Sequence, residues 1–140
     1  MEDWAVVDLG CTRAVVRRSP NGASYAKSAS DPETVDELAA ERDRIAWLAS
    51  TGIGGPTVLD WSERDGAAIL LTSAVPGLPA SAVPPARTHH ARREIAALVR
   101  SLHAVPVESC PFDRRLRVTV AAAERAVTDQ RVDVTDFDAE

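Results

Sequence analysis

Hydrophobic and polar positions divide the chain into short β-like stretches followed by helical ones. Residues 4 to 8 (WAVVD) form a brief apolar run, and 14 to 18 (AVVRR) a β-branched one; both predict strands. Between 19 and 22, Ser-Pro-Asn-Gly is turn chemistry, because proline presets φ and Asn-Gly tolerates positive φ. Residues 23 to 27 (ASYAK) then return antiparallel, which closes a hairpin.

From residue 31 the period changes. Asp31 is a suitable N-cap, Pro32 fits the first helical position, and Glu33 favours the positive end of the helix dipole. Val35, Leu38, Ile45 and Leu48 make one apolar stripe, and Gly52 provides a left-handed cap at the end. Residues 57 to 61 predict a fourth strand, 63 to 66 a turn, and 67 to 72 a fifth strand. The apolar run of that fifth strand suits burial on both faces. Four prolines between 76 and 85 interrupt regular structure, so 77 to 86 is expected to be an irregular linker. Beyond it, Ile95, Leu98, Val99 and Leu102 mark a helix over 92 to 104, and a further helix is predicted over 114 to 128. The expected order is three strands, a helix, two strands, a linker and then helices only.

Composition narrows the function. With 45% hydrophobic and 26% charged residues in 140, the chain can build a core. A net charge of -5 argues against nucleic acid as a partner, and no apolar run approaches a membrane span. The opening Met-Glu-Asp-Trp lacks signal-peptide character, and Cys11 and Cys110 make no disulfide or metal framework; a cytoplasmic protein is expected. His89, His90 and His103 have no spacing that completes a metal site. No histidine is suitably spaced to activate Cys110 as a nucleophile.

One cation stands apart. Fifteen of the sixteen Lys and Arg residues are arginine, and the only lysine is Lys27. Glu41 falls on the same side of its helix as Leu38 and Ile45, facing the sheet, where an unpaired carboxylate is costly. An ion pair between Lys27 and Glu41 resolves both. It would let the lysine present a compact charge to ligand phosphates, which a planar Arg fork does not match. Two separate solvated side chains are the other reading.

A hairpin bearing a lysine, a helix with an inward glutamate, two more strands, a hinge and then helices resembles the amino-terminal lobe of the protein-kinase-like fold. The strings YAK, AERDRIAWL, LDWSERDGAAILLTSAVPGLPA, LHAVP and CPFDRRL resemble bacterial aminoglycoside phosphotransferases, of the streptomycin 3″ branch in particular. The resemblance implies an α+β fold: a five-stranded antiparallel sheet with one helix, followed by the first helices of an α-helical lobe. It divides the chain into a nucleotide-binding lobe (1–76), a hinge (77–86) and the start of the helical lobe (87–140). Lys27 would bind the α- and β-phosphates of ATP and be held by Glu41, with the Tyr25 ring over the adenine. The Ser73 carbonyl and the Val75 amide would meet the adenine edge; Pro76 has no N–H to offer.

The sequence departs from the family in two places. The phosphate loop, Gly10-Cys11-Thr12-Arg13, has one glycine; the Thr12 hydroxyl and Arg13 are candidate contacts, with ordinary loop residues as the alternative. The family's catalytic aspartate and its Mg²⁺ ligands, carried in a His-Gly-Asp…Asn loop and an Asp-x-Gly motif, are not found after residue 86. Asp8-Leu9-Gly10 spells the latter motif but precedes the hairpin, so Asp8 is expected to be a strand-end residue. No catalytic or metal-binding residue is therefore assigned, and the sequence is expected to be part of a chain about twice as long.

The implied function is ATP- and Mg²⁺-dependent phosphorylation of an aminoglycoside, with the streptomycin 3″-hydroxyl as acceptor. The alternatives are a kanamycin- or neomycin-type 3′-hydroxyl, or a non-catalytic nucleotide-binding fragment. The acids Asp133, Asp136, Asp138 and Glu140 could wall a pocket for a cationic drug or form a solvated loop.

Overall fold

The computed structural model describes residues 3–7 and 13–132. Five strands form one antiparallel sheet in the order β1-β2-β3-β5-β4: β1 (Ala5–Val6), β2 (Val15–Arg18), β3 (Ser24–Ala29), β4 (Val58–Arg64) and β5 (Ala67–Ser73). Helix α1 (Pro32–Ser50) lies between β3 and β4 in sequence; α2 (Thr88–His103) and α3 (Leu116–Thr128) follow. The chain divides into two compact units, Met1–Val105 and Pro106–Glu140.

Both hairpins are closed by local chemistry. Between β2 and β3, Ser19 N–H donates to the Ser24 carbonyl at 3.0 Å, and Ser24 N–H returns to the Ser19 hydroxyl at 3.0 Å. Asn21 Oδ1 accepts from the Ser19 hydroxyl and from Ala23 N–H, and Gly22 takes φ of 69°. A side chain at Gly22 would also strike the Arg18 guanidinium, which folds over the turn. The second hairpin is tighter than its sequence predicts. β4 runs on through Arg64, and only Asp65 and Gly66 turn, with φ of 53° and 77°. Two consecutive positive φ values match the right-handed twist of the flanking strands, and Asp-Gly is one of the few dipeptides that adopt them readily.

α1 is fixed at both ends as expected. Asp31 accepts from the Thr34 N–H at 3.0 Å and from the Thr34 hydroxyl at 2.9 Å. Those two bonds, which favour the charged form, hold the Asp31 carboxyl below its ordinary value of 3.8. At the other end Thr51 N–H bonds the Leu48 carbonyl and Gly52 follows in the left-handed region, φ 76°.

The core lies between α1 and one face of the sheet. Val35, Leu38 and Ile45 from the helix pack with Ala29, Ala68 and Leu70 from β3 and β5; Val58 and Trp61 border them. Arg42 crosses from α1 to β4, its guanidinium 4.7 Å from the Trp61 ring centroid. β5 is buried on one face rather than two: Ala68, Leu70 and Thr72 are buried, whereas Ile69 and Leu71 are half-buried. One helix covers one side of a sheet, so the apolar run overstated the burial.

The linker is also more ordered than its prolines suggested. Single 3-10 turns form at Ala80–Ala82 and Pro85–Arg87, with Pro79 and Pro84 just ahead of them. α2 starts at Thr88, four residues before the apolar period begins; its first turn carries the exposed His89 and His90, which add nothing to the apolar stripe. Its apolar stripe, Ile95, Leu98, Val99 and Leu102, is 40–51% exposed, and Leu116, Val120 and Val127 of α3 are exposed as well. At the start of α3, Arg115 N–H and its guanidinium bond Asp113, whose carboxyl falls to about 2. Among the described residues, no helix is long and apolar enough to cross a membrane.

Two consequences can be measured. Leu70 is fully buried in the centre of the core, so Leu70→Ala is expected to destabilise by about 2–5 kcal/mol in urea titrations; a loss under about 1 kcal/mol would contradict this packing. Asp31→Ala is expected to lower the melting temperature at neutral pH, while Asp31→Asn keeps the cap. Because the folded carboxyl of Asp31 has the lower pKa, its stabilisation is complete above 3.8 and is lost as pH falls through the folded value. Melting curves of Asp31→Asn should therefore lose part of the acid dependence seen in the parent.

Candidate functional site

The site is built from three neighbouring strands and the helix behind them. Directly opposed residues of an antiparallel pair share a face. β3 aligns Lys27 with Val16 of β2 on one side and Leu70 of β5 on the other; Tyr25 aligns with Arg18 and Thr72. Leu70 and Thr72 are the buried, helix-facing residues of β5, so Tyr25 and Lys27 are on the face that α1 covers. Strand period two then places them two residues apart along one line.

The ammonium of Lys27 lies 2.6 Å from Glu41 Oε1. The Lys27 side chain is 28% exposed and that of Glu41 34%, so the pair is partly shielded yet open to a ligand. An ammonium carries three donors, and one carboxylate oxygen occupies one of them. The remainder can meet phosphate oxygens. The pairing read from the sequence is present.

The hinge candidates sit where β5 ends. Ser73 is its last residue, and Ala74 N–H bonds the Ala23 carbonyl at 2.8 Å. Val75 is 56% exposed, and its N–H meets no backbone carbonyl among the described residues. The Arg13 guanidinium lies 3.9 Å from Glu33 in the first turn of α1, with the side chain 79% exposed. Thr12 and Asp8 lie outside the described residues, as do Asp133, Asp136, Asp138 and Glu140. Among the described residues, no group of three His, Cys, Asp or Glu side chains could hold a metal ion.

Sequence reasoning missed the neighbours. Val16 and Arg18 share the face of Lys27 and Tyr25, but this depends on hairpin register, which follows from a closure at Ser19 and Ser24. It also missed a bond between Thr57 and Ser73, two residues far apart in the chain whose types carry no signal of pairing.

A five-stranded antiparallel sheet backed by one helix, with a lysine of β3 paired to a glutamate of that helix, is the arrangement of a kinase-like fold. The chain matches the phosphotransferase enzyme family over residues 2–140, and it belongs to that family. It is 46% identical over 125 residues to a streptomycin 3″-kinase of Streptomyces griseus, covering 89% of this chain and 46% of that protein. It is 38% identical to an aminoglycoside 3′-phosphotransferase of Streptomyces fradiae over 99% of this chain and 54% of the relative. In structure it is similar to the aminoglycoside phosphotransferase APH(3″)-Id of Streptomyces rimosus, with a TM-score of 0.82 and 40% identity over 98% of this chain and 49% of that one. The same enzyme solved with ADP and streptomycin gives a TM-score of 0.79. The chain thus spans about half the length of the curated relatives it matches.

A partly exposed ion pair adds little to folding, about 1 kcal/mol or less. Glu41→Gln is therefore expected to leave the unfolding midpoint nearly unchanged while weakening binding of an ATP analogue several-fold. Equal loss of stability and binding would mean that the pair serves the fold alone.

Proposed function

We propose that this chain is the nucleotide-binding part of an ATP-dependent aminoglycoside O-phosphotransferase, with the 3″-hydroxyl of streptomycin as acceptor. The observation that carries the reading is the 2.6 Å contact between Lys27 and Glu41, inside a fold whose relatives are kinases of these drugs. By role, residues 1–76 form the nucleotide lobe, 77–86 the hinge, and 87–140 the start of the helical lobe.

Glu41 fixes the lysine so that its ammonium reaches the α- and β-phosphate oxygens without reorganising when ATP arrives, which is the advantage of a preformed charge. Tyr25 offers its ring to the adenine, and the Ser73 carbonyl and Val75 amide offer an acceptor and a donor to the base edge. Held this way, the γ-phosphoryl group passes from ATP to the drug hydroxyl: the bond to the ADP oxygen breaks, one to the acceptor oxygen forms, and the hydroxyl proton is released. Mg²⁺, when bound, would neutralise charge on the phosphates, and its ligands are assigned to the family's carboxy-terminal half. The aspartate that orients the acceptor is likewise assigned to the family's carboxy-terminal half. Dependence on ATP favours action in the cytoplasm.

Relatives that phosphorylate at the 3′ position, 38–40% identical, keep a kanamycin- or neomycin-type acceptor as the second reading. ADP release from the protein with streptomycin, kanamycin and neomycin in turn separates the two. Lys27→Ala is expected to cut drug-dependent ADP release by about a hundredfold or more. Turnover at the parent rate in that variant would refute the assignment.

A further inference from the structure

The end of β5 breaks the rule of its own ladder. Ser73 N–H donates to the Thr57 carbonyl at 2.9 Å. In an antiparallel pair bonded in this manner the partner returns the bond, here from Thr57 N–H to the Ser73 carbonyl. Instead Thr57 N–H donates to Ser73 Oγ at 2.8 Å, and the Thr57 hydroxyl donates to the same oxygen at 3.0 Å. The side chain of Ser73 has taken the place of its own carbonyl. That carbonyl is the acceptor which, on the reading above, meets the adenine edge.

We propose that the Ser73 hydroxyl is a specificity-determining positioning group: by capturing the Thr57 N–H it keeps the Ser73 carbonyl available to the 6-amino group of adenine. The inference rests on the assignment of this segment as the adenine hinge. The bond from Ser73 N–H to the Thr57 carbonyl sets the two strands so that Thr57 N–H faces this end of β5. Without the serine hydroxyl, that exposed N–H is shared between water and the Ser73 carbonyl, the partner the ladder prescribes, and so competes with the base amine for it. A carbonyl oxygen has two lone pairs, so the competition weakens adenine recognition and does not abolish it. A 6-oxo purine would bring an acceptor against the acceptor, so the same arrangement disfavours guanine nucleotides.

The test compares ATP with purine riboside triphosphate, which lacks the 6-amino group, by calorimetric titration of the parent, Ser73→Ala and Ser73→Thr. One neutral hydrogen bond is worth about threefold to tenfold in affinity, and the parent is expected to prefer ATP by that factor. In Ser73→Ala the preference should collapse toward one, and Ser73→Thr, which keeps the hydroxyl, should restore it. Should Ser73→Ala fail to fold, Ser73→Cys replaces it, since a thiol of similar size accepts poorly. An undiminished preference in the Ala or Cys variant overturns the inference while leaving the hinge assignment intact. Absence of ATP binding by the parent overturns the hinge assignment and this inference together.

Discussion

The geometry of the site depends on where α1 rests against the sheet. Leu38 and Ile45 are buried against Ala68 and Leu70, and Glu41 stands one turn from each along the same side of the helix. Seating the apolar stripe therefore delivers a carboxylate to the sheet face, and β3 answers it with Lys27 at 2.6 Å. Each orders the other: Glu41, half-exposed, gives the flexible Lys27 side chain one position, and Lys27 gives the carboxylate its partner. Packing sets the position, and the charges set the partner.

With the role proposed for Lys27, that dependence accounts for a lysine at this place in a chain that otherwise uses arginine. Val16 and Leu70 flank Lys27 on the adjacent strands, and Tyr25 lies two residues away on the same face. A compact ammonium on a flexible stem fits among these neighbours and still donates in several directions. A guanidinium would bring a planar fork and would engage the carboxylate through two nitrogens. Such a clamp holds well but leaves fewer donors directed at a ligand.

The sequence was legible where signal is local. The Asp31 cap, the stripe of α1, the left-handed Gly52 and the ion pair could all be read, because each depends on residues within a few turns or on a charge that needs an answer. It was less legible where tertiary context decides. β5 looked buried on two faces, but only one helix is available to cover it; the turn at Asp65 and Gly66 is shorter than its polar run; and the prolines of the linker begin 3-10 turns. Arg13 reads from its loop as a candidate phosphate contact or an ordinary loop residue, and its exposed guanidinium lies 3.9 Å from Glu33, a neighbour that the sequence did not indicate. The bond between Thr57 and Ser73 could not be read at all, since a serine hydroxyl capturing a neighbouring strand's N–H has no compositional mark.

The two caps of α1 have a consequence for how such a chain can vary in length. Asp31 fixes the start of the helix and Gly52 its end, with Glu41 about midway between them. One inserted residue between Asp31 and Glu41 would rotate the carboxylate by roughly 100° and turn it from Lys27. The helix thus acts as a ruler, and insertions or deletions accumulate at less cost in the loops, among them the linker after β5, than within its span.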